Sequence, residues 1–572
     1  MRLNELPVII FDCQATSANP SKGFLFEMGW MITNGYNPLK NENALVYQKI
    51  TPASSSYLLP YHIRKITGIN DMDLKRGRSL WDIWNTFIED VLCTSNGKRK
   101  PIVVIHYARY ELPYLFMLQK RYTGLSTLPF DVICTHELTC RLIPDLPRKG
   151  LRAVSGYIGQ SISPFRRSSH HVSATLKIWE HLSVLLANKN GIGTLNELRE
   201  FLADKAKTKH NKNYPMPKEE RLSLPDHPGL YRMRTSSGDL LYIGKAASIK
   251  KRVNSYFQKK KGHTETTLEM LTQVAKIDIT VSGSAFEAAM MESDAIKFEK
   301  PIYNRSLGIN GREVFFINDQ LNPSEHAINA RRIYGPIPVK ADEDKLYPDI
   351  RYMFYLIRSI VKEHSHIETA AYFHQAAMEL SQSDEGRKII TKGLDLFNDE
   401  YGDWLLIRPA IRSVMKMDAV IRHKKLEINK EEEIKDFRDG IFDELIVKRR
   451  LENIFLRAAF YIRRGNIFNL VSNCILIWES SQNKREHHIL FMKDMVPHFH
   501  SSRKSDHANR YISSYLPDKK RLMSYDIFAY DRLRVFITEL KRLIAGGRNF
   551  TLFLNNMRPC PNHVLIKVLD KI

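Results

Sequence analysis

The segment from His227 to Asn304 constrains this chain more than any other part of it. Gly229–Arg234 and Leu240–Ile243 are short apolar-rich runs on either side of Ser236-Ser237-Gly238-Asp239. Two such runs around a Gly-containing turn sequence predict a β-hairpin. Helical spacing follows over 249–257 and 264–275, and then a strand over 277–281. A further helix start stands at Ser284-x-x-Glu287, the form of a capping box. Beyond it Phe286, Ala289, Met290, Ser293 and Ile296 recur at helical spacing. Residues 225–310 are therefore predicted to fold as a small α/β unit.

The polar residues of this unit have a chemistry in common. Tyr231 and Tyr242 fall on neighbouring hairpin strands, where their hydroxyls can converge. A phenol titrates at about 10 and serves as a base only beside cations. Lys245 and Arg252 supply such cations, and a guanidinium also suits a phosphate clamp. From Lys245 to Lys261 there are seven basic residues and no acidic one. Lys250, Lys251, Lys259, Lys260 and Lys261, interleaved with Tyr256 and Phe257, make a candidate nucleic-acid groove. The other reading of that stretch is a solvated basic helix. The chain as a whole favours a polyanionic partner: its 572 residues carry a formal net charge of +23, which places nucleic acid ahead of an anionic membrane surface.

Taken in order, five elements resemble the GIY-YIG nuclease module, and within it the UvrC/Cho type of excision-repair incision nuclease. They are His227-Pro-Gly-Leu-Tyr231, Tyr242-Ile-Gly-Lys245, Lys251-Arg-Val-Asn-Ser-Tyr-Phe257, Glu287-Ala-Ala-Met-Met-Glu-Ser-Asp-Ala-Ile-Lys297 and Pro301-Ile-Tyr-Asn304. The resemblance implies phosphodiester hydrolysis, with Tyr231, Tyr242, Lys245, Arg252, Tyr256, Glu292 and Asn304 as site residues. It implies Tyr242 or Tyr231 as general base, Arg252 as transition-state stabiliser and Glu292 as the one required carboxylate. An ion held by a carboxylate and water would be Mg²⁺ or Mn²⁺, one per site.

Residues 1–200 are predicted as a second α/β region. Strand-length apolar runs stand at 7–11, 29–34 and 102–106, a helix starts after Ser79, and another covers 172–187. Phe11-Asp-Cys-Gln14-Ala-Thr, Ile66-Thr-Gly-Ile69, Ile105-His-Tyr-Ala-Arg-Tyr-Glu111, Cys134-Thr…Arg141-Leu-Ile-Pro144 and His170-His-Val-Ser-Ala-Thr-Leu176 resemble the DnaQ-type (DEDDh) 3′–5′ exonuclease, whose fold is RNase H-like. That family sets four carboxylates and a histidine around two metal ions. Here Asp12 stands at the first position, Gln14 replaces the paired Glu, Glu111 replaces the middle Asp, Thr175 replaces the last Asp, and His170 keeps the histidine. Two carboxylates do not balance two divalent cations. The expectation is an inactive domain kept for DNA binding, the other reading being a one-ion site on Asp12, Glu111 and His170.

The expected organisation is multidomain α/β: a DnaQ-like domain at 1–200, a Lys- and Pro-rich linker at 201–224, the GIY-YIG module at 225–310, a connector at 311–345, and a mostly helical to α+β region at 346–572, UvrC/Cho-like in part. Arg332-Ile-Tyr-Gly-Pro-Ile-Pro338 resembles the Tyr-Gly-Pro segment that follows the module in that family. Only Cys474 and Cys560 follow the module, and no CxxC pair occurs, so neither an iron–sulfur cluster nor zinc is expected. No run approaches the ~18 uncharged residues of a membrane span, so no membrane partner and a cytoplasmic location are expected. The function these features imply is metal-dependent DNA endonuclease action in nucleotide-excision-type repair. The partners would be double-stranded, damaged or branched DNA and other repair proteins. The alternatives are a non-catalytic nucleic-acid-binding adaptor and a branched-DNA or mobile-element endonuclease.

Overall fold

The computed structural model describes residues 2–34, 37–45, 59–95, 97, 99–161, 165–204, 214–258, 263–304, 306–308, 312–318, 323–324, 333–340, 467–468, 470–480, 486–502, 526–554 and 559–561. Lys259, Lys260, Lys261 and the helical stretch expected between 346 and 465 lie outside them. The chain divides into two compact units, Met1–Thr280 with Pro301–Asn304, and Val281–Lys300 with Arg305–Ile572. The division falls inside the stretch 225–310.

The first unit opens with strands β1 (Val8–Ala15), β2 (Leu25–Asn34) and β3 (Asn37–Leu45), then helices α1 (Tyr61–Thr67), α2 (Asp71–Lys75) and α3 (Leu80–Cys93). Strand β4 (Ile102–Ile105), helix α4 (Leu112–Thr123), strand β5 (Asp131–Cys134) and helices α5 (Thr135–Leu142), α6 (Leu151–Tyr157), α7 (Ser168–Asn190) and α8 (Leu195–Ala203) follow. The strands form one sheet in the order β3-β2-β1-β4-β5, antiparallel between β1 and β2 and between β2 and β3, parallel between β1 and β4 and between β4 and β5. Strand β1 is apolar on both faces because both are covered. Val8 and Ile10 join Trp179 and Leu182 of α7 on one side, while Ile9 and Phe11 join Trp84 and Phe87 of α3 on the other. Helix α3 starts where the sequence places it, with Ser79 accepting a hydrogen bond from the Asp82 amide.

The same unit continues through helix α9 (Lys218–Leu222), the hairpin β6 (Gly229–Arg234) and β7 (Leu240–Ala246), helices α10 (Ile249–Phe257) and α11 (Glu265–Gln273), and strand β8 (Lys276–Val281). The sheet order is β7-β6-β8. Helix α11 docks on α6. The Arg148 amide donates to the Thr272 hydroxyl at 3.2 Å, and Gly156 sits so close to the Gln273 side chain that a Cβ would overlap it.

The second unit begins with helix α12 (Ala285–Glu299) and strands β9 (Arg312–Asn318), β10 (Pro323–Ser324) and β11 (Ile333–Lys340), in the order β10-β9-β11. Strands β12 (Cys474–Glu479), β13 (His487–Lys493), β14 (Val496–Ser502), helix α13 (Ile527–Ala545) and strand β15 (Phe550–Phe553) complete it. Their antiparallel sheet runs β14-β13-β12-β15. Phe286, Ala289 and Met290 of α12 bury with Trp478, Tyr530 and Phe536 in one core. Strand β12 begins at Cys474, after helical residues at 467–468 and 470–471. No helix among the described residues is long and apolar enough to cross a membrane.

Candidate active site

Hairpin register builds the centre of the first unit. Tyr231 of β6 lies opposite Gly244 of β7, and Met233 opposite Tyr242. Residues two apart on a strand share a face, so Tyr231, Tyr242 and Gly244 face the same way. Gly244 is required there. A Cβ on it would fall within overlap distance of the Tyr231 hydroxyl and close against the Tyr242 ring. Helix α10, started by Ser248 accepting from the Lys251 amide, brings in the third ring. The centroids of Tyr231, Tyr242 and Tyr256 stand 6.2, 6.2 and 6.3 Å apart. Tyr231 and Tyr256 share a hydroxyl hydrogen bond of 3.1 Å. Arg252, one turn before Tyr256, donates Nη2 to its hydroxyl at 3.2 Å and lies over its ring.

Tyr231 is 1% exposed. Burial, followed by the adjacent Tyr256 and Tyr242 hydroxyls, pushes its pKa far above the ordinary phenol value, against a lowering influence from Arg252. It therefore keeps its proton more firmly than a solvated tyrosine. Tyr242 is only half-buried.

Two residues expected in the chemistry are placed differently. Asn304 turns its amide onto the backbone of β7: Oδ1 accepts from the Ile243 amide and Nδ2 donates to the Ile243 carbonyl, both at 2.9 Å. It pins the strand between Tyr242 and Gly244 and acts as a positioning residue. Lys245 follows Gly244 and alternates to the opposite face of the hairpin from the tyrosines. Of the expected DNA-binding lysines, Lys250 is half-buried and Lys251 exposed on α10, where Lys251 pairs with Asp226 at 3.4 Å.

Glu292 stands half-buried on α12 in the second unit. Its helix is tied down just beyond it. Lys297 and Asp531 of α13 form an ion pair of 3.0 Å with both side chains 0% exposed. Lys297 also donates to the Ser293 carbonyl and hydroxyl. Arg312 grips the same Asp531 with two hydrogen bonds. Burial alone would raise the Asp531 pKa, but the Arg312 hydrogen bond and the Lys297 charge hold it below the usual carboxylate range. Arg532 binds both oxygens of Asp294 at 3.0 Å. Leaving one member of a buried pair unpartnered costs about 3–5 kcal/mol. Sequence reasoning missed Asp531 and treated Lys297 as a motif letter. The available signal was a lysine one turn beyond Ser293, on an apolar stripe. As a metal donor, one half-buried carboxylate on an anchored helix fits a hard ion that keeps most of its waters.

The N-terminal site is a separate place. Asp12 Oδ1 lies 3.2 Å from Nδ1 of His171, so His171, and not His170, is the histidine at this site. Helix phase explains the correction. His171 stands four residues before Thr175 and shares its face, whereas His170 is rotated away. The His170 Nδ1 instead accepts the backbone amides of Arg166 and Arg167 at the start of α7. Gln14 donates Nε2 to the Arg166 carbonyl at 3.4 Å, and Thr175 is buried. Glu27, another residue missed in the sequence, is fully buried and accepts from Arg167 Nε and the Ser168 amide, an anion at a helix N-terminus. A cleft of about 350 Å³ opens beside Cys13, Gln14, Phe26, Ile66 and Tyr110.

Among the described residues, Asp12 Oδ2 and Glu111 Oε2 are buried with no hydrogen-bond partner. Burial, and secondly the Asp12 carboxylate, raise the Glu111 pKa to about 9. His171 is lowered by burial but raised more by the Asp12 charge and hydrogen bond, and ends above its ordinary value. With an amide and a hydroxyl in place of two carboxylates, this donor set does not fit a two-ion centre.

The raised pKa of Glu111 predicts a pH dependence. A carboxyl of pKa about 9 folded and about 4.3 unfolded stays protonated longer in the folded state. Its contribution to stability is whole below about pH 4 and is lost as pH rises towards 9, at up to ~1.4 kcal/mol per pH unit. His171, also raised, acts in the same direction above about 6.5. Melting of the protein between pH 5 and 9 should show a midpoint that falls, and Glu111→Gln should flatten the fall and raise the midpoint at pH 8. A variant with the wild-type slope would contradict this reading.

Comparison with known proteins converges on the hairpin region. The UvrC-like GIY-YIG domain family matches residues 227–305. The UvrABC system protein C of Clostridium beijerinckii is 34% identical over 139 residues, covering 23% of this chain and 22% of that protein. The magnesium-bound GIY-YIG N-terminal endonuclease domain of UvrC from Thermotoga maritima is 29% identical, covering 15% of this chain and 93% of that one, with a TM-score of 0.14. The nuclease domain of 3′hExo, a DEDDh family member, is 14% identical over 32% of this chain and 94% of that one, with a TM-score of 0.27. The matches span 13–22% of the length of these curated UvrC relatives. Residues 227–305 of this chain are thus similar to the UvrC-like GIY-YIG domain.

Proposed function

We propose that this protein is a metal-dependent DNA endonuclease that nicks damaged or branched duplex DNA in excision-type repair. The observation that carries the reading is the three-tyrosine cluster with Arg252 on its rim, built on the hairpin and helix α10 within the matched domain. A guanidinium on an exposed rim receives a phosphate. Tyr242, half-buried beside it, acts as a phenolate that takes the proton from the attacking water and becomes the phenol. The water oxygen bonds to phosphorus, and the phosphorus–oxygen bond to the leaving strand breaks. Tyr231, which holds its proton, orients Tyr256 through their shared hydrogen bond. Glu292 would hold Mg²⁺ or Mn²⁺, and such an ion would supply charge stabilisation to the phosphoryl oxygens and leaving group.

The test is nicking of plain, lesion-bearing, branched and single-stranded DNA by the full chain with Mg²⁺ and with EDTA. Mg²⁺-dependent nicks concentrated on the lesion-bearing or branched substrates support the reading. No cleavage of any of the four overturns it in favour of a binding protein.

In this reading the N-terminal domain contributes DNA contacts and no hydrolysis. End-labelled single-stranded DNA with Mn²⁺ should remain full length. Processive shortening that Asp12→Ala abolishes would contradict the assignment. Gln14→Glu with Thr175→Asp should be needed together to bring activity back, because ligands of one centre act as a unit.

A further inference from the structure

We propose that helix α13 is a positioning element for the helix that carries Glu292, with Asp531 as the positioning residue. The proposal rests on the reading of Glu292 as the metal-holding carboxylate. Helix α12 contributes Phe286, Ala289 and Met290 to the core it shares with α13 and the β12 sheet. An apolar seam of this kind fixes which face is buried but tolerates small slides of one helix along another. The polar contacts remove that freedom. Asp531 lies on α13 and receives Lys297 at 3.0 Å and both Nη atoms of Arg312 at 2.9 and 3.0 Å. Lys297 in turn reaches back to the Ser293 carbonyl and hydroxyl at 3.0 Å, at the residue next to Glu292. Arg532, the neighbour of Asp531, binds both oxygens of Asp294, two residues from Glu292.

Two ionic tethers from consecutive residues of α13 therefore hold α12 at Asp294 and Lys297, within the turn and a half that follows Glu292. Apolar packing alone does not require a fully buried charged pair, and such pairs are best attested as devices that fix register. The consequence is that the C-terminal region is part of the nuclease machinery, because it sets where the carboxylate stands.

The experiment uses the full chain in four forms: wild type, Asp531→Asn, Asp531→Glu and Arg532→Gln. Three readouts are taken: hydrogen exchange of the α12 amides in metal-free protein, Mn²⁺ affinity by electron paramagnetic resonance, and single-turnover nicking as a function of DNA concentration. Asp531→Asn should speed exchange in α12, weaken Mn²⁺ about tenfold, and lower the maximal rate at least tenfold with half-saturating DNA unchanged. Asp531→Glu keeps the charge and should stay within about fivefold of wild type. Should Asp531→Asn fail to fold, the more exposed Arg532→Gln should give the same pattern at several-fold size. Wild-type α12 exchange, Mn²⁺ affinity and rate in the folded variants overturn the proposal alone. Wild-type protein that holds Mn²⁺ no better than Glu292→Gln overturns the reading of Glu292 and the proposal with it.

Discussion

Tyr242→Phe should lower the single-turnover nicking rate by about a thousandfold, while Tyr231→Phe should lower it only about ten- to a hundredfold, within the usual range for removing a general base or a positioning group. The two tyrosines share a hairpin face and differ in surroundings. Tyr231 is sealed beneath its neighbours, and its pKa is driven up by burial and then by Tyr256 and Tyr242. Losing a proton there would place a phenolate in a dry site. Its hydroxyl is committed to Tyr256, so Tyr231→Phe removes one hydrogen bond and leaves a ring of the same shape over Gly244. Tyr242 is half-buried and is the phenol better placed to exchange a proton with water. The pH–rate profile separates the roles: the rise with pH should survive in Tyr231→Phe and vanish in Tyr242→Phe. A larger loss from Tyr231→Phe, with the rise abolished there, would exchange the two assignments.

Much of this site was legible because it is local. The hairpin follows from two apolar runs around a Gly-containing turn. Helix α10 occupies Ile249–Phe257, as its spacing and Ser248 cap dictate. Helix α12 likewise begins after Ser284, whose side chain accepts from the Glu287 amide. What escaped the sequence is what depends on distant partners. The stripe of α12 announces a buried face but does not say that Trp478 and Phe536 cover it. Nothing local shows that Lys297 and Asp531 are buried against each other across more than two hundred residues of chain. Asn304 sits at a motif position, yet its work is a backbone clamp on Ile243, which only the tertiary fold reveals. In the doublet His170-His171, the motif letters alone point to His170. The helical phase relative to Thr175, already present in the sequence, picks out His171.

Glu292→Gln should lower Mg²⁺-dependent nicking by a thousandfold or more, the largest effect expected of any single substitution. The swap keeps size and most hydrogen-bonding capacity and removes the charge on which a hard cation depends. A thousandfold corresponds to about 4 kcal/mol of transition-state stabilisation, within the several kcal/mol that a divalent ion contributes at a phosphoryl group. The fold should be unaffected, because the anchors of α12 are its apolar stripe, Lys297 and Asp294. DNA binding should persist or tighten, since a negative group near the phosphates is gone. Arg252→Ala should differ in kind, losing both rate and affinity, because the guanidinium meets the phosphate before and during reaction. The deciding measurement is the single-turnover rate of plasmid nicking across a Mg²⁺ titration, wild type beside Glu292→Gln, with DNA affinity measured on the same preparations. Nicking that rises with Mg²⁺ in the wild type and is lost in Glu292→Gln at undiminished DNA affinity is the predicted result. Equal nicking rates for the two proteins would contradict the account.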